Sequence, residues 1–184
     1  MKNKQGMVYV FAGTGKGKTS AALGVAVRSL CLLKKVVWVS WFKHSDWDIA
    51  EMKMPKYFKK NLEMYWMGKG FYGGPMDIDT PEGHKKAAKE ALLFVSNLLD
   101  KNEGDGGMKI DLLVLDEVIR AVNDELLTVK EVMEIVKKRG KTNVVLTGHV
   151  CPSEIENMAD LVTEMKKIKH PYDKGIMAVP GLDF

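Results

Sequence analysis

Apolar positions gather into six short runs, at residues 7–11, 36–42, 62–67, 112–116, 143–147 and 161–165, with longer mixed stretches between them. Most of these runs are nearly continuous rather than alternating, the pattern of strands buried on both faces of a parallel sheet. The mixed stretches carry a helical period. One helix is predicted over 18–33, with Ala21, Ala22, Val25, Ala26 and Leu30 on one face and small enough to pack closely on a sheet. A second begins at Thr80, with Pro81 at its first position and Glu82 at the positive end of its dipole, and runs to Leu99. Thr128, three residues before Glu131, makes a capping box for a third helix ending near Arg139 and Gly140. Two glycine-rich segments, 67–79 and 102–108, read as mobile loops, the first at the carboxyl end of the sheet and the second at the opposite end. Strand and helix in this alternation predict a doubly wound α/β fold.

Composition narrows the possibilities without changing the pattern. A chain of 184 residues with 46% hydrophobic content can bury one core, and nothing in it resembles a linker, so a single domain over 1–184 is expected. No apolar run is long enough to span a membrane, and the start of the chain is short and polar without a signal-like apolar stretch, which predicts a cytoplasmic protein. Cys31 and Cys151 are far apart and form no CxxC motif. The formal net charge of +4 is spread over several lysine groups instead of one basic stripe, so nucleic acid is not implied as a partner.

The candidate chemistry starts at the end of the first strand. Gly13, Thr14, Gly15, Lys16, Gly17, Lys18, Thr19 and Ser20 form a glycine-rich turn that opens a helix, which surrounds one anion with backbone N–H groups and a helix N-terminus. The phosphate-loop pattern Gly-x-x-x-x-Gly-Lys-Ser/Thr fits at Gly17, Lys18 and Thr19, with Ala12 in place of the first glycine. In that reading Lys18 lies among the terminal phosphates of a nucleotide, and the Thr19 hydroxyl ligates Mg²⁺. The class is therefore P-loop NTPase-like (RecA-like). Further on, an apolar strand ends in Asp116 and Glu117, the pattern that brings a carboxylate to the same Mg²⁺. Because strand residues alternate in direction, one of the two acids is expected to face the metal.

Other candidates are weaker. His149, Cys151 and His170 match no zinc spacing. Trp38 and Trp66 read as core aromatics, while Trp41 and Trp47, near the carboxyl end of a strand, are left open. The chain has neither a Ser-His-Asp order nor a Gly-x-Ser-x-Gly elbow.

With these residues placed, the chain resembles the P-loop ATP:corrinoid adenosyltransferases. The resemblance rests on Phe11 through Ser20, Gly70-Phe71, Leu115-Asp116-Glu117, Leu146-Thr147-Gly148 with Cys151, the run from Lys169 to Gly175, and the terminal Gly181 to Phe184. It implies that a Co(I) corrinoid, cob(I)yrinic acid a,c-diamide or cob(I)alamin, attacks the 5′ carbon of ATP and releases triphosphate, so that no protein nucleophile is needed. It also implies Mg²⁺, a flavoprotein reductase as electron donor and a homodimer, and it selects Glu117 over Asp116 as the acid associated with the metal. Phe71 matches an aromatic that the family presses against the corrin to displace its lower ligand. The family's second aromatic, a Trp, falls at Gly73 here, which leaves Tyr72 or Trp47 to fill the space. A longer N-terminal extension found in some members is expected to be absent. Two other readings of the phosphate loop remain at this point: an ATPase or kinase that cleaves the γ-phosphate, and a non-catalytic module that binds nucleotide or adenosylcorrinoid.

Overall fold

The computed structural model describes residues 5–102 and 109–183. Its strands are β1 (Val8–Ala12), β2 (Val36–Ser40), β3 (Leu62–Trp66), β4 (Leu112–Asp116), β5 (Asn143–Thr147) and β6 (Leu161–Glu164). The helices are α1 (Lys18–Cys31), the single turn α2 (Pro55–Phe58), α3 (Pro81–Asn102), α4 (Val118–Asn123), α5 (Val129–Lys137) and α6 (Ser153–Met158). All strand pairs are parallel, in the order β3-β2-β4-β5-β1-β6. This is the P-loop NTPase-like arrangement that the sequence predicts, with the acid-bearing β4 separated from β1 by β5.

Alternate strand residues build two cores. Tyr9 and Phe11 of β1, Val36 and Trp38 of β2, and Leu112 and Val114 of β4 face α1, whose small Ala22 and Ala26 let the helix lie close to the sheet. Val8 and Val10, Val37 and Val39, and Leu113 and Leu115 face the other way, where α3 to α6 cover them with residues such as Ala91, Val95, Ile119, Val136 and Ile155. Both faces are therefore dry, and this explains the near-continuous apolar runs. The Thr128 capping box is formed: its hydroxyl accepts the Glu131 N–H at 3.2 Å, and Glu131 Oε2 accepts the Thr128 N–H at 2.8 Å.

Differences from the sequence reading lie at ends and in short elements. β2 stops at Ser40, although Trp41 and Phe42 remain buried beyond it. The helices α2, α4 and α6 are too short to show a period and were not foreseen. The stretch 67–79 is irregular as predicted, and 103–108 of the second loop lies outside the described residues.

Candidate active site

Because every strand is parallel, the segments leaving their carboxyl ends meet at one edge of the sheet. At β1 the turn is anchored from behind. Gly13 donates its N–H to the His149 carbonyl at 2.5 Å and Gly15 donates to the Met165 carbonyl at 2.7 Å, so these N–H groups are already engaged by the exits of β5 and β6. A Cβ on Gly13, at φ +118°, would lie 2.4 Å from the Met165 oxygen, so the close approach requires glycine. Thr14 is exposed beside them.

In front, Lys16, Gly17, Lys18, Thr19 and Ser20 line a cavity of about 560 Å³. Gly17 is the left-handed N-cap of α1 and no side chain caps that end, which leaves the first helical N–H groups for an anion. Lys18 is only 9% exposed, and its ammonium donates to the Gly15 carbonyl at 2.9 Å. That neutral acceptor is one that a phosphate oxygen outcompetes by charge.

The two acids at the end of β4 have different surroundings. Asp116 is fully buried and saturated: it accepts the hydroxyls of Thr19 at 3.2 Å, Ser40 at 3.2 Å and Thr147 at 3.0 Å, and pairs with the Lys43 ammonium at 3.0 Å. Glu117 lies just past the strand in the left-handed region, at φ 63°, with its N–H donated to Thr147 Oγ1 at 2.7 Å. The alternation argument therefore does not apply to it; a backbone turn aims its side chain instead. Glu117 lines the cavity, and its buried Oε2 has no hydrogen-bond partner among the described residues. Burial first, and then the charge of Asp116, push its carboxyl above the usual range, while Lys18, Arg120 and Lys43 oppose the shift. An orphaned carboxylate oxygen in the cavity that Thr19 also lines fits Mg²⁺, which takes few protein ligands and completes its shell with phosphate and water.

The exit of β2 and the turn after it supply Lys43, Trp47, Ile49, Ala50, Glu51 and Met54 to the same cavity. Burial alone would lower the Lys43 pKa, but Asp116 and Glu51 together hold it above the ordinary lysine value. The Trp47 ring packs on Phe71, centroids 5.1 Å apart and planes tilted by 35°, and Phe71 stays 45% exposed. Tyr72 turns the other way, edge-on to His84 at 5.0 Å and packed against the larger core. The chain end returns to this place as well: Gly181, Leu182 and Asp183 line the cavity, and the Asp183 carboxylate forms an ion pair with Lys16.

The family described as ATP:corrinoid adenosyltransferase BtuR/CobO/CobP matches residues 4–184. The chain belongs to that family. A corrinoid adenosyltransferase of Escherichia coli strain K12 is 30% identical over 184 residues, covering 100% of this chain and 88% of that protein. The corrinoid adenosyltransferase CobA of Salmonella typhimurium is 29% identical, with the same coverages. A solved KaiC-like protein of Pyrococcus horikoshii OT3 covers 90% of this chain and 74% of its own, at 17% identity and a TM-score of 0.48.

Within this family of transferases, the residues singled out in the sequence fall into three groups. Lys16 to Ser20 and Glu117 share the cavity, with Asp116 directly behind through Thr19. Phe71 stands beside the cavity through Trp47. The run from Lys169 to Gly175 forms a surface turn, in which His170 Nδ1 accepts the Tyr172 N–H at 3.1 Å and Lys167 pairs with Asp173 at 2.9 Å. Phe184 lies outside the described residues. Of the remaining tryptophans, Trp41 is in the core and donates to the Ala88 carbonyl at 3.2 Å. Cys151 is half-buried, its thiol pushed up to about 11 mainly by burial. Sequence reasoning missed Lys43 and Glu51, which lie in a polar stretch with no motif around them.

Proposed function

We propose that this protein transfers the 5′-deoxyadenosyl group of ATP to the Co(I) of a corrinoid, cob(I)yrinic acid a,c-diamide or cob(I)alamin, and releases tripolyphosphate. The cobalt electron pair becomes the Co–C bond, and the C5′–O bond breaks with its electrons leaving on the triphosphate. The observation that carries this reading is one cavity lined by the phosphate loop and by Trp47, with Phe71 packed on Trp47 beside it. A phosphate chain suits the loop and a large ring system the aromatic pair.

The protein's part is to hold and orient. Lys18 and the free N–H groups of α1 receive the charge that builds on the leaving triphosphate. Lys16 is available to it once Asp183 gives way. Gly13, Thr14 and Gly15 keep the turn in shape, and Ser20 closes its helical side. Thr19 and Glu117 would hold Mg²⁺, with Asp116 fixing the Thr19 hydroxyl; the ion would neutralise phosphate charge. Phe71 and Trp47 would face the corrinoid, with Tyr72 supporting the Phe71 loop through His84. The reaction would run in the cytoplasm, in a homodimer supplied with electrons by a flavoprotein reductase. Among the described residues no helix is long and apolar enough to cross a membrane.

Products decide the matter. Protein, ATP, Mg²⁺ and chemically reduced cobalamin should give tripolyphosphate and adenosylcobalamin in equal amounts, resolved by ³¹P NMR and visible absorption. ADP formed without corrinoid would mean cleavage at the γ-phosphate instead. Tight ATP binding with no product would mean a binding module.

A further inference from the structure

The aromatic wall stands on a loop with little structure of its own. Between Lys43 and Glu51, the described hydrogen bonds are local and long: Trp47 N–H to the His44 carbonyl at 3.2 Å, Asp46 N–H to His44 Nδ1 at 3.3 Å and Ser45 Oγ to Asp46 at 3.3 Å. Asp46 is exposed, as is Asp48, whose carboxylate forms a solvent-facing ion pair with Lys53 at 2.8 Å just beyond the loop. What closes the loop is an ion pair at its two ends, the Lys43 ammonium on Glu51 Oε1 at 2.7 Å, with the lysine side chain 14% and the glutamate side chain 10% exposed.

The same ammonium reaches Asp116 Oδ2 at 3.0 Å, and the other oxygen of Asp116 accepts the Thr19 hydroxyl. The Lys43 carbonyl also accepts the Gly68 N–H at 3.1 Å, and the Phe42 carbonyl accepts that of Gly70 at 3.0 Å, which joins the loop to the one bearing Phe71. A Cβ on Gly68 would lie 2.3 Å from the Trp41 carbonyl oxygen, so the two loops touch backbone to backbone. Lys43 thus connects the phosphate-loop threonine, the far end of the Trp47 loop and the base of the Phe71 loop.

We propose that Lys43 and Glu51 form a clasp that positions Trp47 against Phe71, and so set the affinity for the ring-bearing substrate without acting on the triphosphate directly. This rests on the function proposed above. Both are positioning residues. Asp116 already accepts three hydroxyls besides the Lys43 ammonium, and Glu51, an anion itself, adds nothing to that saturation; the contribution of Glu51 is to shorten the loop through Lys43 and hold Trp47 over Gly70, whose added Cβ would lie 3.8 Å from the indole.

The test uses Glu51→Gln, Trp47→Phe, the double variant and Lys43→Arg in the full chain. Acrylamide quenching of tryptophan emission, with Trp47→Phe identifying the Trp47 share, reads the clasp without any substrate. Glu51→Gln should make Trp47 more accessible, while Lys43→Arg, whose guanidinium can span two carboxylates, should keep it protected. With prereduced cob(I)alamin, Glu51→Gln should raise the corrinoid KM about tenfold and the ATP KM less than about twofold. The double variant should lose no more than Trp47→Phe alone, because the clasp acts through that ring. Unchanged quenching, equal rises in both KM values or additive losses would each overturn the clasp. If the wild-type protein makes no adenosylcobalamin, the functional proposal fails by itself and the quenching comparison still decides whether the clasp exists.

Discussion

At the scale of single residues, the site separates groups that hold the ligand from groups that hold those groups. Lys18→Ala removes the buried ammonium beside the loop, and the loss should be about 3 kcal/mol of binding or transition-state stabilisation, roughly a hundredfold. Calorimetric titration with MgATP checks it, and turnover at the wild-type rate at saturating ATP would contradict the assignment. For the acids, Glu117→Gln should raise the Mg²⁺ requirement and leave urea stability nearly unchanged. Asp116→Asn should instead cost about 2 kcal/mol of stability, because the amide NH2 replaces one carboxylate oxygen, turning a donor either towards Lys43 and Ser40 or towards Thr19 and Thr147, and the charge that pairs with Lys43 is lost. Mg²⁺ titration and urea unfolding of both variants distinguish the roles, and the reverse order would make Asp116 the metal-facing acid. The phosphate-loop residues were legible because their chemistry is local in sequence. The choice of Glu117 over Asp116 came only from the family resemblance and not from the residues themselves, because its physical basis is a left-handed turn at Glu117 and hydroxyls from three other segments.

At the scale of elements, the loop after β3 is held by a side chain the motifs do not mention. Asp77 accepts the Gly73 N–H at 2.8 Å, the Asp79 N–H at 3.1 Å and the His84 Nε2–H at 2.8 Å. Chiefly the Gly73 N–H, and then His84, hold its carboxyl at about 2. Because the folded value lies below the unfolded one, the stabilisation is complete above the unfolded value and is lost as pH falls through the folded one. Urea unfolding of wild type and Asp77→Asn should show a constant gap at neutral pH that closes between about pH 4 and about pH 2. A gap that persists through that window would mean that the charge of Asp77 is not what fastens the loop. The loop itself was visible in the sequence from its glycines. Its anchor was not, since Asp77 must meet His84 across the start of α3, and only the folded turn brings them together.

At the scale of the whole molecule, the parallel exits of β1, β2, β3 and β4 bring the phosphate loop, Lys43, Trp47, Phe71 and Glu117 to one edge. A ligand bound there engages the exits of several strands and stabilises the entire fold by mass action. MgATP at about a hundred times its Kd should add about 2.7 kcal/mol, which for a chain of this size is a rise in Tm of about 5–10 °C. Thermal scans should show this shift for wild type and lose it in Lys18→Ala; a shift retained in that variant would put the nucleotide elsewhere. Sequence alone determined the strand runs, the first helix, the phosphate loop, the Thr128 cap and the family, because each is written in a local period or a contiguous motif. Tertiary structure decided which acid keeps a free oxygen, that Trp47 rather than Tyr72 packs on Phe71, and that Lys43 and Glu51 belong to the site. The reason is physical: these outcomes depend on distances between segments that the chain order keeps apart, and burial and hydrogen-bond saturation exist only once the sheet has brought those segments together.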